Sequence, residues 1–183
     1  MTSPAKIIVD SLPLTVEEFI ALRDKISTTP EGGAVAFVVA TILYVQSPAL
    51  GRHALIIQSD KALLSASDKG YKGFDLAGTS AFLVTQLDQK KYIPGSYVLG
   101  TTNETAYEIG KGPYTFELST NASSILEDGQ IKIFVACSGA DTPRPVLLRK
   151  NDKGVWKASE YSSLFVGVKA PVVKSKGAEE GDF

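Results

Sequence analysis

The pattern of apolar and polar positions divides the chain near Asp60. Before it, apolar residues recur at helical spacing or run together. After it, short apolar runs are separated by clusters of Gly, Asn, Asp and Pro. Val16, Phe19, Ile20 and Ile26 fall on one helical face. Thr15 is positioned as an N-cap, Glu18 completes a capping box, and Leu14 and Phe19 form a hydrophobic staple. Ser27-Thr28-Thr29-Pro30 ends this helix, and Thr29-Pro30-Glu31 opens the next, with a cap, a proline and an acid in the order that starts helices. Its body, AVAFVVATILYV, is apolar all round and too long for an ordinary strand, which predicts a helix at the centre of the core. Ser47-Pro48 repeats the start signal before ALGRHALIIQ, a shorter third helix.

Beyond Asp60, SASDKGYKGFDLAG reads as turn-rich. Strands are predicted over 81–87, 95–101, 114–118, 131–137, 146–150 and 155–168, with Asn151-Asp152-Lys153-Gly154 as a hairpin turn and Ser162 and Ser163 marking a bulge. Trp156, Tyr161, Leu164, Phe165 and Val166 are expected to pack against the helices. Helices followed by consecutive strands give an α+β fold: two or three N-terminal helices packed on a curved antiparallel sheet. The arrangement resembles the cone-shaped nuclear-transport-factor-2-like and cystatin-like folds. One domain is expected over 1–171, with a polar tail over 172–183.

Charge narrows the functional classes. Lys plus Arg is 19 against 20 for Asp plus Glu, so no basic footprint for nucleic acid is present. The N-terminus lacks the charged and apolar regions of a signal peptide, and no apolar run reaches bilayer length, which predicts a cytoplasmic protein without membrane insertion. One His and one Cys are too few for a zinc site of the usual ligands, and no calcium-loop run occurs. Neither a metal nor a cofactor is expected. Cys137, in IKIFVAC, reads as a buried thiol; the rival reading, a nucleophile served by His53, has nothing in the sequence to bring the two together. No nucleophile elbow or phosphate loop is present, so no catalytic residue is assigned and an enzyme is the less favoured class.

Two polar segments stand apart: GSYVLGTTNETAYEI over 95–109 and SGADTPRP over 138–145. Arg144 is stiffened between Pro143 and Pro145, with Asp141 close enough in sequence to pair with it. A salt-bridged rigid loop is one reading. The other is a ligand or partner surface built from Arg144, Asp141, Tyr97 and Tyr107.

The stretches TTPEGGAVAF, SPALGRHAL, SYVLGTTNETAY, SGADTPRPVLLRKNDKGVWK and YSSLFVGVKAP resemble a bacterial family known only as a domain of unknown function. The resemblance extends from about Leu14 to Pro171. It implies a bacterial source and supplies no catalytic residue. Without reactive groups or a charge signature, the leading expectation is a non-enzymatic protein-binding module. An accessory, adaptor or immunity-type component of a secretion or contractile-injection system would fit that description. The alternatives are a small-molecule or catalytic pocket at the mouth of the sheet, and a structural subunit of a larger assembly. Neither the partner nor the oligomeric state follows from the sequence.

Overall fold

The computed structural model describes residues 4–173. It is an α+β fold whose main sheet contains β1 (Ala5–Val9), β4 (Tyr114–Ser119), β5 (Ile131–Val135), β6 (Arg144–Lys150) and β7 (Trp156–Glu160), in that spatial order and antiparallel throughout. Helices α1 (Val16–Ile26), α2 (Pro30–Gln46) and α3 (Pro48–Gln58) follow β1 in the chain. A small hairpin of β2 (Leu64–Tyr71) and β3 (Phe74–Leu76) then leads to α4 (Gly78–Gln89).

Two of the three predicted cap residues act as caps, whereas Ser47 makes no side-chain cap bond to α3. Thr15 Oγ1 accepts from the Glu18 amide and Thr29 Oγ1 from the Gly32 amide, each at 3.1 Å. Every residue of α2 from Gly32 to Tyr44 is buried. The sheet turns Tyr114, Phe116, Leu118, Ile133, Val135, Val146, Leu148 and Ala158 inward to the same core. Close backbone approach explains two glycines in this layer. A Cβ on Gly33 would lie 2.7 Å from the Trp156 carbonyl oxygen, and one on Gly51 would enter the backbone of Tyr44. Gln58, fully buried at the end of α3, donates from Nε2 to the carbonyls of Gly33 and Trp156 at 3.0 and 2.9 Å. One side chain thereby ties α2, α3 and β7 together.

Several sequence expectations are corrected. The segment 81–87 is not a strand but lies within α4, where Ser80, Val84 and Leu87 are buried at helical spacing while Phe82 is 65% exposed. The segment 95–101 is a 3-10 turn, Pro94–Tyr97, followed by tight turns, because Pro94 has no amide hydrogen to donate to a ladder and the Gly95 backbone presses on the Tyr107 carbonyl. The segment 155–168 is not one strand: β7 ends at Glu160, and Ser162 and Ser163 begin a 3-10 turn, Ser162–Phe165, rather than a bulge. The register shift lies instead between Leu147 and Leu148 of β6. Strand β1 and the β2–β3 hairpin went unanticipated. Leu14 is 80% exposed and staples nothing, and Glu18 accepts from the Leu14 amide rather than from Thr15. Tyr161, Leu164 and Phe165 are buried as expected, whereas Val166 is exposed. Beyond Val173 the predicted polar tail lies outside the described residues. Among the described residues, no helix is long and apolar enough to cross a membrane.

Candidate binding groove

A groove of about 910 Å³ opens beside the β7 edge of the sheet, between α1, α3, the β2–β3 hairpin and the β6–β7 turn. Ile20, Ile56, Ile57, Leu64, Phe74 and Val155 supply its apolar lining, and Arg23, Lys72, Lys153 and Lys157 its cations. Asp24 and Asp152 are the carboxylates among the lining residues, and Asp24 is held by its chain neighbour Arg23 at 2.8 Å. Positive charge therefore exceeds negative by two along a wall whose remaining residues are mainly apolar, with Thr28 and Asn151 as polar exceptions.

Each wall has a local cause. The β6–β7 turn is set by Asn151, whose Oδ1 accepts from the Lys153 and Val155 amides at 3.0 Å, and by Gly154 at φ +79°. The β2–β3 hairpin turns through Lys72 and Gly73, both at positive φ, which points Lys72 outward over the Tyr71 ring. The hairpin is fixed to α3 by a two-point ion pair. Arg52 Nε donates to Asp75 Oδ1 at 3.1 Å and Nη2 to Oδ2 at 2.7 Å. His53, one position on, packs its ring on Tyr71 with centroids 5.4 Å apart. On the opposite side the chain leaving α3 runs parallel to β7, with Ser59 bridging Ala158 and the Asp60 amide donating to the Ala158 carbonyl at 2.7 Å.

Lys157 lies where these walls meet. Its Nζ donates to the Ile57 carbonyl in the last turn of α3 at 2.6 Å. Burial depresses its pKa to about 8, and the nearby Arg23 and Lys153 push the same way against the opposing pull of Asp60 and Asp24.

The four residues proposed from the sequence lie at the other end of β6, and they converge on the C-terminal segment. Tyr97 Oη donates to the Leu164 carbonyl and Tyr107 Oη to the Lys169 carbonyl, both at 2.6 Å; Arg144 Nη2 donates to the Gly167 carbonyl at 2.9 Å. Both tyrosines are buried, and burial raises the pKa of each. The Lys169 amide donates to Gly139 and the Val172 amide to Asn103, so the segment is also held by its backbone. Asp141 does not pair with Arg144. It is 93% exposed and lies 3.6 Å from Lys169 Nζ, because β6 turns the guanidinium toward Gly167 while the 138–143 turn leaves the carboxylate in solvent. The two polar segments are neighbours: the Ser138 amide donates to the Ser96 carbonyl, and the hydroxyls of Thr101 and Ser138 are 2.9 Å apart. Arg144 also borders a second cleft on the outer face of the sheet, about 800 Å³, with Glu117, Phe134, Pro143 and Pro145.

Cys137 is buried with its Sγ 3.3 Å from Ser96 Oγ, while His53 packs on Tyr71, so the two are not brought together. The sequence marks Lys157 only as a residue of the strand that follows the Asn151–Gly154 turn. Its burial depends on Ile57, a hundred positions earlier in the chain, and no local pattern carries that.

No curated protein matches the chain, and no solved structure does. A family model described as a domain of unknown function, DUF6935, matches residues 11–172, and the chain belongs to that family.

Proposed function

We propose that this protein is a binding module that receives an acidic, apolar-bearing segment of a partner protein in the groove beside β7. The observation that carries the reading is the lining: two more cations than carboxylates above an apolar floor, in a space of about 910 Å³. An extended segment with Asp or Glu flanking one or two large apolar residues matches both features. The apolar side chains leave water, and the acids meet Lys72, Lys153 and Arg23. The groove is built from turns and a pinned hairpin, which suits a pre-formed site that loses little freedom on binding.

The test is selection of a displayed random peptide library on the immobilised protein. Enriched sequences are expected to carry acids around an apolar residue. A selected peptide is expected to bind the Lys72→Glu, Lys153→Glu double variant at least tenfold more weakly, with an affinity that falls as salt rises. Selection of peptides without acids, or binding indifferent to the double variant, would overturn the proposal.

A further inference from the structure

We propose that Lys157 is a carbonyl-capturing amine, whose Nζ forms an imine with an aldehyde that carries an anionic group on an apolar body. The inference does not depend on the peptide reading, and its failure would leave that reading intact.

The argument starts from placement. Among the described residues, Lys157 makes no ion pair, although it is half-buried in the groove lining. Its one hydrogen bond runs to a neutral acceptor, the Ile57 carbonyl. A lysine withdrawn from water without a counter-ion favours its neutral form, and the neutral amine is the nucleophile. One N–H suffices to hold the Ile57 carbonyl, so the lone pair remains for the groove.

The charged groups around it are Arg23 and Asp24 from α1, Asp60 from the chain after α3, Lys153 from the β6–β7 turn, and Arg149 of β6, which is in register with Lys157 and lies 3.8 Å from Asp60. The net result holds the amine to about 8, so a useful fraction is neutral near pH 7.5. Desolvation together with a nearby cation is the way lysines are activated for imine formation. The same cations select the ligand. Arg23, Lys72 and Lys153 meet an anionic group, and Ile20, Ile56, Leu64 and Phe74 cover an apolar body.

The step balances without a cofactor. The Nζ lone pair forms a bond to the carbonyl carbon while the C=O π pair moves to oxygen. That oxygen takes a proton and the nitrogen loses one, giving a carbinolamine. The hydroxyl takes a second proton and leaves as water while the nitrogen lone pair forms the C=N bond and the nitrogen gives up its remaining proton. Nothing is oxidised or reduced.

The experiment treats the intact protein with 4-formylbenzoate and sodium cyanoborohydride, which reduces the imine to a stable secondary amine, and maps the adducts by peptide mass spectrometry. At pH 7.5 Lys157 is expected to be modified about tenfold faster than Lys72 or Lys153, with a rate that rises through about pH 8. The neutral isostere 4-formylbenzamide is expected to react more slowly at Lys157 alone. Lys157→Arg has no amine that forms a stable imine and is expected to lose capture. The comparison among lysines is internal to the unaltered protein, so it stands even where a variant fails to fold. Adducts spread over lysines in proportion to their exposure would overturn the assignment of Lys157. Equal rates for the two aldehydes would overturn the anionic ligand class.

Discussion

The two ends of β6 use polar side chains in opposite ways. At the Arg144 end, Tyr97, Tyr107 and Arg144 turn inward and donate to backbone carbonyls of a single segment, Leu164, Lys169 and Gly167. At the Asn151 end, Lys72 and Lys153 border open space without an ion pair among the described residues, and only Lys157 donates to a backbone carbonyl, that of Ile57. Residue type is similar at both ends, with aromatic and cationic side chains in turn-rich chain. The difference is where the hydrogen bonds go. Polar groups already satisfied by the fold contribute to stability, whereas unsatisfied ones are available to a partner.

That contrast predicts the largest effect at the closed end. Tyr97→Ala removes a buried ring and leaves the Leu164 carbonyl without its donor, so a loss of about 3–5 kcal/mol is expected by denaturant unfolding. Tyr107→Phe removes only the hydroxyl that holds Lys169 and is expected to cost about 1–3 kcal/mol. A loss below about 0.5 kcal/mol for Tyr97→Ala would mean that the C-terminal segment is not held as described.

A variant at the boundary of the open end comes next. Arg52→Ala removes both guanidinium donors from the mostly enclosed Asp75 carboxylate and leaves it only the Leu76 amide. About 1–3 kcal/mol is expected to be lost. Amide hydrogen exchange is expected to rise in Leu64–Tyr71 and Phe74–Leu76 while the main sheet stays protected. Uniform loss of protection would show that this hairpin folds as part of the core rather than as a pinned wall.

The same contrast explains what the sequence reveals. Thr15, Thr29 and Pro30 mark α1 and α2 because caps are local chemistry, and the β6–β7 turn is legible because Asn151 and Gly154 satisfy it within five residues. Helix α4 has no such signal. Ala77 offers no capping side chain, and a short apolar run does not distinguish strand from helix. Strand β1 is five residues long and is defined by pairing with β4, more than a hundred positions away. At the site, the sequence picked out Arg144, Asp141, Tyr97 and Tyr107 as unusual, and three of them do share a task. Their targets, in the 164–169 stretch, lie outside both polar segments. Lys157 was invisible for the reason that makes it interesting: its enclosure comes from α1, α3 and a turn that meet only in the folded chain.

The two ends also titrate with opposite sign. Lys157 releases its proton near pH 8 in the folded protein, whereas an unfolded lysine holds it to about pH 10.4. Between those values the unfolded state binds more protons, so stability rises with pH. Tyr97 and Tyr107 have pKa values raised by burial above their unfolded value of about 10, so above that pH the folded state binds more protons and stability falls. Urea unfolding at stepped pH is expected to show a rise followed by a fall. Lys157→Met is expected to abolish the rise and keep the fall. A variant that retains the rise would place its origin elsewhere.

The smallest effect on the fold belongs to the most exposed part of the groove. Lys72 sits at the tip of a two-stranded hairpin and Lys153 in a turn held by Asn151, and neither side chain makes an ion pair among the described residues. Lys72→Glu with Lys153→Glu is therefore expected to change stability by no more than about 0.5 kcal/mol. The same double substitution reverses the charge balance of the groove and is expected to remove most of its affinity for an acidic peptide. A thermal melt beside a binding titration on one preparation separates the two effects. Weakened binding at an unchanged melting point locates the loss at the open end. A melting point lowered as far as that of Tyr107→Phe would show that these cations support the fold and that the two ends do not differ in kind.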